Sequence, residues 1–217
     1  MKKQAKNIDV VIFDFDGTIR EISWKGLKVA YEAIIKARGK DSQEFFRDLE
    51  SFKKWFNLDW HKNIEEITGL PYVESPTWNA LFHAHYDPFV TLFHWTDGLL
   101  CHLSKQYHLA ILSSSSVLSV QKELGEVSRF FDPNLIVGAE KVTRLKPHPE
   151  GIHYILNYLG IAPEHALIIG DTHLDFQAGK AAGIWTGLVG WGMLSLDGLK
   201  SLDAEMYFEH PSELFLL

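Results

Sequence analysis

Val10-Val11-Ile12-Phe13-Asp14-Phe15-Asp16-Gly17-Thr18 is the stretch on which the reading of this chain turns. Its first four residues form an unbroken apolar run rich in β-branched side chains, the pattern of a strand covered on both faces. Such a strand belongs to a parallel sheet, because crossover helices then hide both of its faces. The run stops abruptly at two acids, and Gly17 lets the backbone leave the sheet. Positions i and i+2 of an extended chain share a face, so Asp14 and Asp16 can look into one crevice. In open parallel sheets, the crevice beyond the carboxyl ends of the strands is where ligands bind.

Working outward, similar runs recur at Leu109-Ala110-Ile111-Leu112, Leu135-Ile136-Val137, Ala166-Leu167-Ile168-Ile169 and Trp185-Thr186-Gly187-Leu188-Val189. Helical patterns separate several of them. Leu118, Gln121, Lys122 and Leu124 follow serines suited to capping. Ile152, Ile155, Tyr158 and Leu159 lie between Pro149 and Gly160, and Phe176, Ala178, Gly179 and Ala182 run up to Gly183. Strands alternating with helices predict an α/β core, a doubly wound Rossmann-like parallel sheet. The tail from Ala204 to Leu217 reads as a last edge strand and a closing helical turn.

Residues 20–95 have a different character. Trp24, Leu27, Tyr31, Ile34 and Arg38 keep helical spacing, as do Phe45, Leu49, Phe52 and Phe56. Ile64 and Ile67, then Trp78, Leu81, Phe82 and His85, continue it, with breaks at Gly39, Gly69-Leu70-Pro71 and Ser75-Pro76. A helical segment of that length is no simple crossover. The expected organisation is therefore a core of 1–19 and 96–217 with a helical domain, 20–95, inserted after the first strand. Trp24, Trp55, Trp60, Trp78 and Trp95 are expected to fill the small bundle's core.

Composition narrows the functional classes. Apolar residues make up 46% and charged residues 23% of the 217, which excludes a disordered or collagen-like chain. With 21 Lys+Arg against 28 Asp+Glu, the formal charge is −7, which argues against a dedicated nucleic-acid binder, since that would need a basic stripe. An anionic small molecule remains compatible, since a few local cations and N–H groups make a positive pocket. Cys101 is the only cysteine, which excludes an intramolecular disulfide and a thiolate zinc site. The basic start, Met1-Lys2-Lys3-Gln4-Ala5-Lys6, leads into an apolar run that is short and ends in acids, so it reads as a strand. No run is long enough to span a bilayer. The expectation is a soluble cytoplasmic protein, monomer or homodimer, with no nucleic acid or membrane as partner.

The chemistry gathers at strand ends. Asp14 and Asp16 repel unless a cation lies between them. Ser113 directly follows the second strand, and Ser114 and Ser115 can offer backbone N–H groups at a helix start. Lys146, in Leu145-Lys146-Pro147-His148-Pro149, sits in a loop stiffened by two prolines. Asp171 ends the fourth strand, and Asp175 follows one helical turn later. Hard oxygen ligands of this kind suit Mg²⁺. Taken singly, these features are also ordinary turn acids, a serine cap and a solvated lysine.

Together, Asp14-x-Asp16-Gly17-Thr18, strand-Ser113, Lys146-Pro147 and Gly170-Asp171-x-x-x-Asp175 resemble the four ordered motifs of the haloacid dehalogenase (HAD) superfamily. The resemblance runs from residue 9 to about 190. The inserted helical segment resembles the C1-type cap, and 137–192 is most similar to the phosphoglycolate phosphatase-like branch. The resemblance implies that Asp14 is the nucleophile forming an aspartyl-phosphate, while Asp16 protonates the leaving alcohol and then deprotonates water. It implies that Mg²⁺ is held by Asp14, the Asp16 carbonyl and Asp171, with Asp175 ligating or orienting water. Ser113 would hydrogen-bond the phosphoryl group and Lys146 would neutralise it. Gly17, Thr18, Ser114 and Arg20 are the expected substrate contacts. An aspartate at position 16 favours phosphate monoesters, because an alkoxide leaving group needs a proton. The implied activity is a Mg²⁺-dependent phosphatase acting on a small phosphorylated metabolite.

Besides Ser113-Ser114, where many relatives show Thr-Asn and the hydroxyl is retained, one stretch departs from that branch. Its usual hydrophobic-acid-serine continuation is replaced by Ile19-Arg20-Glu21-Ile22-Ser23, at the first hinge into the cap. Arg20 can bind a substrate carboxylate or second phosphate, or pair with Glu21 or solvent. Among the 11 histidines, His83 and His85 lie too close in sequence to share a helix face, and none has ligand spacing with carboxylates. His148 and His173 fall nearest the expected site. The alternatives are a β-phosphoglucomutase-like phosphomutase, against which Thr18 in place of valine argues, and a catalytically silent protein that binds a partner through its cap.

Overall fold

Val10–Phe13 form β1, and all four side chains are fully buried. In this computed structural model, which describes residues 7–70 and 76–217, β1 lies inside a six-stranded parallel sheet. The other strands are β2 (His108–Leu112), β3 (Ile136–Val137), β4 (Ala166–Gly170), β5 (Trp185–Val189) and β6 (Met206–Phe208). Their order is β3-β2-β1-β4-β5-β6, with every neighbouring pair parallel. Val10 lies opposite both His108 and Ala166, so β1 is paired along its length on both edges. The expected edge strand in the tail is β6, and a short 3₁₀ turn at Pro211–Leu216 closes the chain.

The described residues form two compact units. One runs up to Ile22 and resumes at Leu92–Leu217; the other is Ser23–Thr91. The second unit holds α1 (Trp24–Ala37), α2 (Leu49–Trp55), α3 (Trp60–Thr68) and α4 (Pro76–Tyr86). Ser23 starts α1 by accepting the Gly26 N–H at 3.0 Å. The spacing of Phe45, Leu49, Phe52 and Phe56 does not make one helix. Asp48 caps α2 by accepting the Ser51 N–H at 2.8 Å, which starts the helix at Leu49, and Phe56 is extended. Phe52 is nonetheless fully buried among Tyr31, Phe46 and Trp24, with ring centroids 6.0, 4.9 and 6.3 Å away. Buried Asn63 serves the same core: it donates to Asn57 O at 2.9 Å and accepts the Asn57 N–H at 2.8 Å. The expected breaks at Pro71 and Ser75 lie outside the described residues, as does the basic segment 1–6.

The division of the chain differs from 20–95 because of pairing at both ends of the insertion. Arg20 forms an antiparallel bridge with Leu92, Phe93 N–H donates to Ile19 O at 3.2 Å, and the Thr96 hydroxyl donates to the same oxygen at 2.8 Å. Arg20-Glu21-Ile22 and Leu92–Trp95 therefore belong with the sheet. Trp95 leaves the bundle core for the same reason, stacking on Phe93 at 5.0 Å.

The rest of the sheet unit contains α5 (Thr96–Leu103), α6 (Val117–Leu124), α7 (Glu150–Leu159), α8 (His173–Ala182) and α9 (Leu196–Leu199). The period of two along β1 divides the core. Val11 and Phe13 pack with Leu99, Leu103, Leu109 and Ile169 on one face, while Val10 and Ile12 pack with Ala110, Ile152, Ile155 and Ala178 on the other. No helix among the described residues is long and apolar enough to cross a membrane.

The α8–sheet contact is tight at Gly179, where an added Cβ would lie 2.5 Å from the Thr186 γ-methyl and 2.7 Å from that of Ile168. Both neighbours are β-branched and stiff. Gly179→Ala is therefore expected to lower stability by about 1–3 kcal/mol in urea unfolding, although alanine alone favours a helix by about 1 kcal/mol. A gain in stability would show that the layer has room to give.

Candidate active site

Parallel pairing delivers the acids to one place. Phe13 lies opposite Ile169, so the first residues beyond β1 and β4 emerge side by side, and Asp14 N–H donates to Ile169 O at 2.8 Å. Asp171 follows β4 directly. Asp175 stands in the first turn of α8, where its Oδ2 accepts the Thr172 N–H at 3.1 Å and the Thr172 hydroxyl at 2.7 Å. That capping box leaves Oδ1 facing Lys146. Lys146 comes from the loop before α7, and its Nζ donates to Asp14 Oδ1 and Asp175 Oδ1, each at 2.6 Å. One oxygen from each of Asp14, Asp171 and Asp175 lies within 4.8 Å of the others, and all three residues are buried.

Three buried carboxylates thus share one ammonium. Burial pushes the Asp14 carboxyl up to about 7; Lys146 opposes this, and Asp175 and Asp16 add to it. Asp171 is held well above the usual carboxylate range by burial, then by Asp14 and Asp175, against the Met193 N–H it accepts at 2.5 Å. Burial alone would lower Lys146, but the paired carboxylates outweigh it and hold the ammonium above its ordinary value. Asp171 Oδ1 is buried with no hydrogen-bond partner. Hard oxygen donors, an excess of negative charge and an orphaned carboxylate oxygen fit a divalent cation. Gly17 is part of the cradle. At φ +83° it takes a conformation that side chains disfavour, and a Cβ there would sit 2.1 Å from Asp171 Oδ2.

The other expected residues divide. Ser113 lies at the tip of β2, buried, and its Oγ accepts the Ser115 N–H at 3.0 Å. That bond occupies one of the N–H groups expected to form an anion site, and the Val117 N–H is taken by Glu140 at 2.9 Å. Ser114 is half-buried in the same turn. Asp16 stands apart from the three clustered carboxylates. Its Oδ1 accepts Arg20 Nη1 at 2.5 Å and its Oδ2 accepts the Ser115 hydroxyl at 3.3 Å. Two expected substrate contacts need correction. Thr18 exposes no surface, because the chain turns inward after Gly17 and Trp191 Nε1 donates to its carbonyl at 3.1 Å. Arg20 is 2% exposed, so it is not spent on solvent, and it pairs with Asp16 and Glu123.

Sequence reasoning missed Glu123, the Ser115 hydroxyl, Trp191 and the Met193 N–H. The last two had a signal in Gly190-Trp191-Gly192, a glycine-flanked turn directly after a strand. Glu123 had none. Three of the histidines are engaged locally: His148 Nδ1 accepts the Glu150 N–H at 3.2 Å, His85 Nδ1 lies 2.9 Å from Leu81 O, and His83 Nδ1 lies 3.0 Å from Asp87 Oδ1.

Residues 11–189 match the family described as haloacid dehalogenase-like hydrolase. A pyrophosphatase PpaX of Oceanobacillus iheyensis is 28% identical over 230 residues, covering 97% of each chain. A phosphoglycolate phosphatase of Aquifex aeolicus is 30% identical over 220 residues, covering 96% of this chain and 95% of its own. The fold is shared with a haloacid dehalogenase-like family protein of Streptococcus pneumoniae, at TM-score 0.75 and 24% identity, over 96% of this chain and 97% of that one.

The raised Asp14 carboxyl links stability to pH. Its folded value of about 7 lies above the ordinary 3.8, so the fold favours the protonated form. That contribution is complete below about pH 4 and is lost as pH rises through about 7. Without metal, the melting temperature should therefore fall between about pH 4 and about pH 7. A divalent cation competes with the proton, so stabilisation by added Mg²⁺ should grow over the same interval. Melting curves in EDTA and in Mg²⁺ test this, with Asp14→Asn expected to flatten the metal-free profile. A Mg²⁺ effect larger at the acid end would contradict it.

Proposed function

The chain belongs to the haloacid dehalogenase-like hydrolase family, and from that premise we propose that it is a Mg²⁺-dependent phosphatase of small phosphate monoesters. The observation that carries this reading is the ammonium of Lys146, 2.6 Å from an oxygen of Asp14 at the tip of a central strand. A carboxylate fixed in this way on a buried scaffold suits attack on phosphorus, a reaction that depends on positioning and charge stabilisation. The relatives named as a pyrophosphatase and a phosphoglycolate phosphatase support the same reaction class.

In the proposed sequence, an Asp14 oxygen bonds to phosphorus as the bond to the leaving oxygen breaks. Asp16 gives that oxygen its proton. Asp16 then takes a proton from water, whose oxygen attacks the aspartyl-phosphate; inorganic phosphate departs and the Asp14 carboxylate is restored. Lys146 offsets charge on Asp14 and on the moving group, and Ser113 Oγ donates to a phosphoryl oxygen. Asp14, Asp171 and the Asp16 carbonyl would hold Mg²⁺, with Asp175 ligating or orienting its water; the bound ion supplies further charge neutralisation.

With Arg20 committed to Asp16 and Glu123, the residue expected to recognise a carboxylate gives no support for phosphoglycolate in particular. We place the protein in the cytoplasm, as monomer or homodimer, on its single cysteine and acidic charge.

A panel of phosphorylated metabolites, assayed with and without Mg²⁺, tests the reading. Turnover is expected to require the metal. Asp14→Asn should abolish it while leaving the circular dichroism unchanged, and quenched wild-type protein should carry phosphate on Asp14. Lys146→Met should lower kcat by about 100- to 1,000-fold. Undiminished activity in Asp14→Asn would remove the nucleophile, and a strict need for a bisphosphate activator would indicate a phosphomutase.

A further inference from the structure

Arg20 belongs to the stretch that departs from the resembled branch, and the mechanism leaves it unused. Its backbone is closed onto the loop that carries Asp16: its N–H donates to Phe15 O at 3.0 Å, and its carbonyl accepts the Gly17 N–H at 2.8 Å. The guanidinium carbon lies 5.7 Å from the centroid of the buried Phe15 ring. Nη1 reaches Asp16 Oδ1 at 2.5 Å, while Nε pairs with Glu123 on α6. Side-chain exposure falls from 29% at Asp16 to 16% at Glu123 and 3% at Arg20. The cation is thus the buried centre of the triad, and Asp16 is its most open end.

Burying a guanidinium is unfavourable unless its charge and donors are matched, and an apolar side chain would fill the same space without that cost. What an arginine adds is a rigid, planar set of donors held at a fixed angle. Glu123 holds the guanidinium by charge, from a helix outside the loop. The two Asp16 oxygens are treated differently: Oδ1 takes the short guanidinium contact, and Oδ2 is left with the longer Ser115 contact at 3.3 Å.

We propose that Arg20, anchored by Glu123, is a positioning residue that fixes the Asp16 carboxyl through Oδ1 and so presents Oδ2 as the oxygen that exchanges the proton with leaving group and water. This rests on the phosphatase reading. It assigns Arg20 a role in kcat and none in substrate affinity, since its charge is already shared between two carboxylates.

The test compares esters whose leaving groups differ in their need for that proton. Alkyl phosphate needs it as an alkoxide departs; p-nitrophenyl phosphate does not. Rapid-quench measurement of alcohol release in the first turnover isolates bond cleavage from the hydrolysis that follows. In Arg20→Ala, first-turnover release from the alkyl ester is expected to fall by about 100-fold and that from the aryl ester by no more than about threefold, with KM unchanged for both. Arg20→Lys, which keeps the charge but not the planar fork, should restore part of the alkyl rate.

If Arg20→Ala does not fold, Glu123→Gln carries the test, because it removes the anchoring charge without touching Asp16. The same selective loss, smaller in size, is then expected. An equal loss on both esters, or a loss confined to KM, overturns the proposal and leaves Arg20 as a structural ion pair or a substrate contact. Failure of the unaltered protein to turn over either ester would instead overturn the phosphatase reading, and the positioning role with it.

Discussion

Asp14, Asp171 and Asp175 crowd one oxygen each into a space 4.8 Å across, with a single ammonium among them. Buried carboxylates lose hydration worth several kcal/mol apiece, and one cation cannot offset three. The imbalance is visible in the raised carboxyls of Asp14 and Asp171. An arrangement this unfavourable persists only where the backbone has no freedom to relieve it. The central strands supply that rigidity: β1 is paired on both edges and covered on both faces. The same crowding calls for glycine at the closest backbone approaches. At Gly170, a Cβ would lie 2.2 Å from the Asp175 carboxyl carbon.

The sheet order places this strain where the fold can use it. Strand succession runs outward in one direction from β1 through β2 to β3, and in the other through β4 to β6. Connections therefore leave β1 and β4 to opposite sides, opening a crevice at their carboxyl ends. Asp14 and Asp171 are the first residues past those two ends. Ser113 holds the equivalent place on β2, and the loop carrying Lys146 closes the remaining side. Four segments distant in sequence become neighbours because a parallel register aligns strand tips.

That logic is why the acids were legible before the structure. Each of Asp14, Ser113 and Asp171 directly follows an apolar run, so recognising the strand locates the side chain. Helix limits were legible where a cap was local, as at Gly160 and Gly183, which close α7 and α8. They were not where a cap overrode a period: Asp48 begins α2 inside the spacing from Phe45 to Phe56. Pairings between distant segments left no local trace. The Arg20–Leu92 bridge moved the insertion's limits, and the inward turn of Thr18 follows from a bond to Trp191, on the far side of the sequence. Glu123 is one acid on an amphipathic helix and reads as solvated until α6 is placed.

The two reacting carboxyls of the proposed mechanism are supported in parallel but unequal ways. Each shares a cation with a second carboxylate that does not react: Asp14 shares Lys146 with Asp175, and Asp16 shares Arg20 with Glu123. The second carboxylate cancels much of the cation's pull and fixes its position, so the cation orients its partner as well as neutralising it. The choice of cation suits the motion required. Asp14 must change bonding as it becomes esterified, and an ammonium on a flexible stem can follow it with any of three donors. Asp16 only passes a proton back and forth, so its carboxyl gains from a donor of fixed direction, which Nη1 of a planar guanidinium gives and a freely rotating ammonium does not.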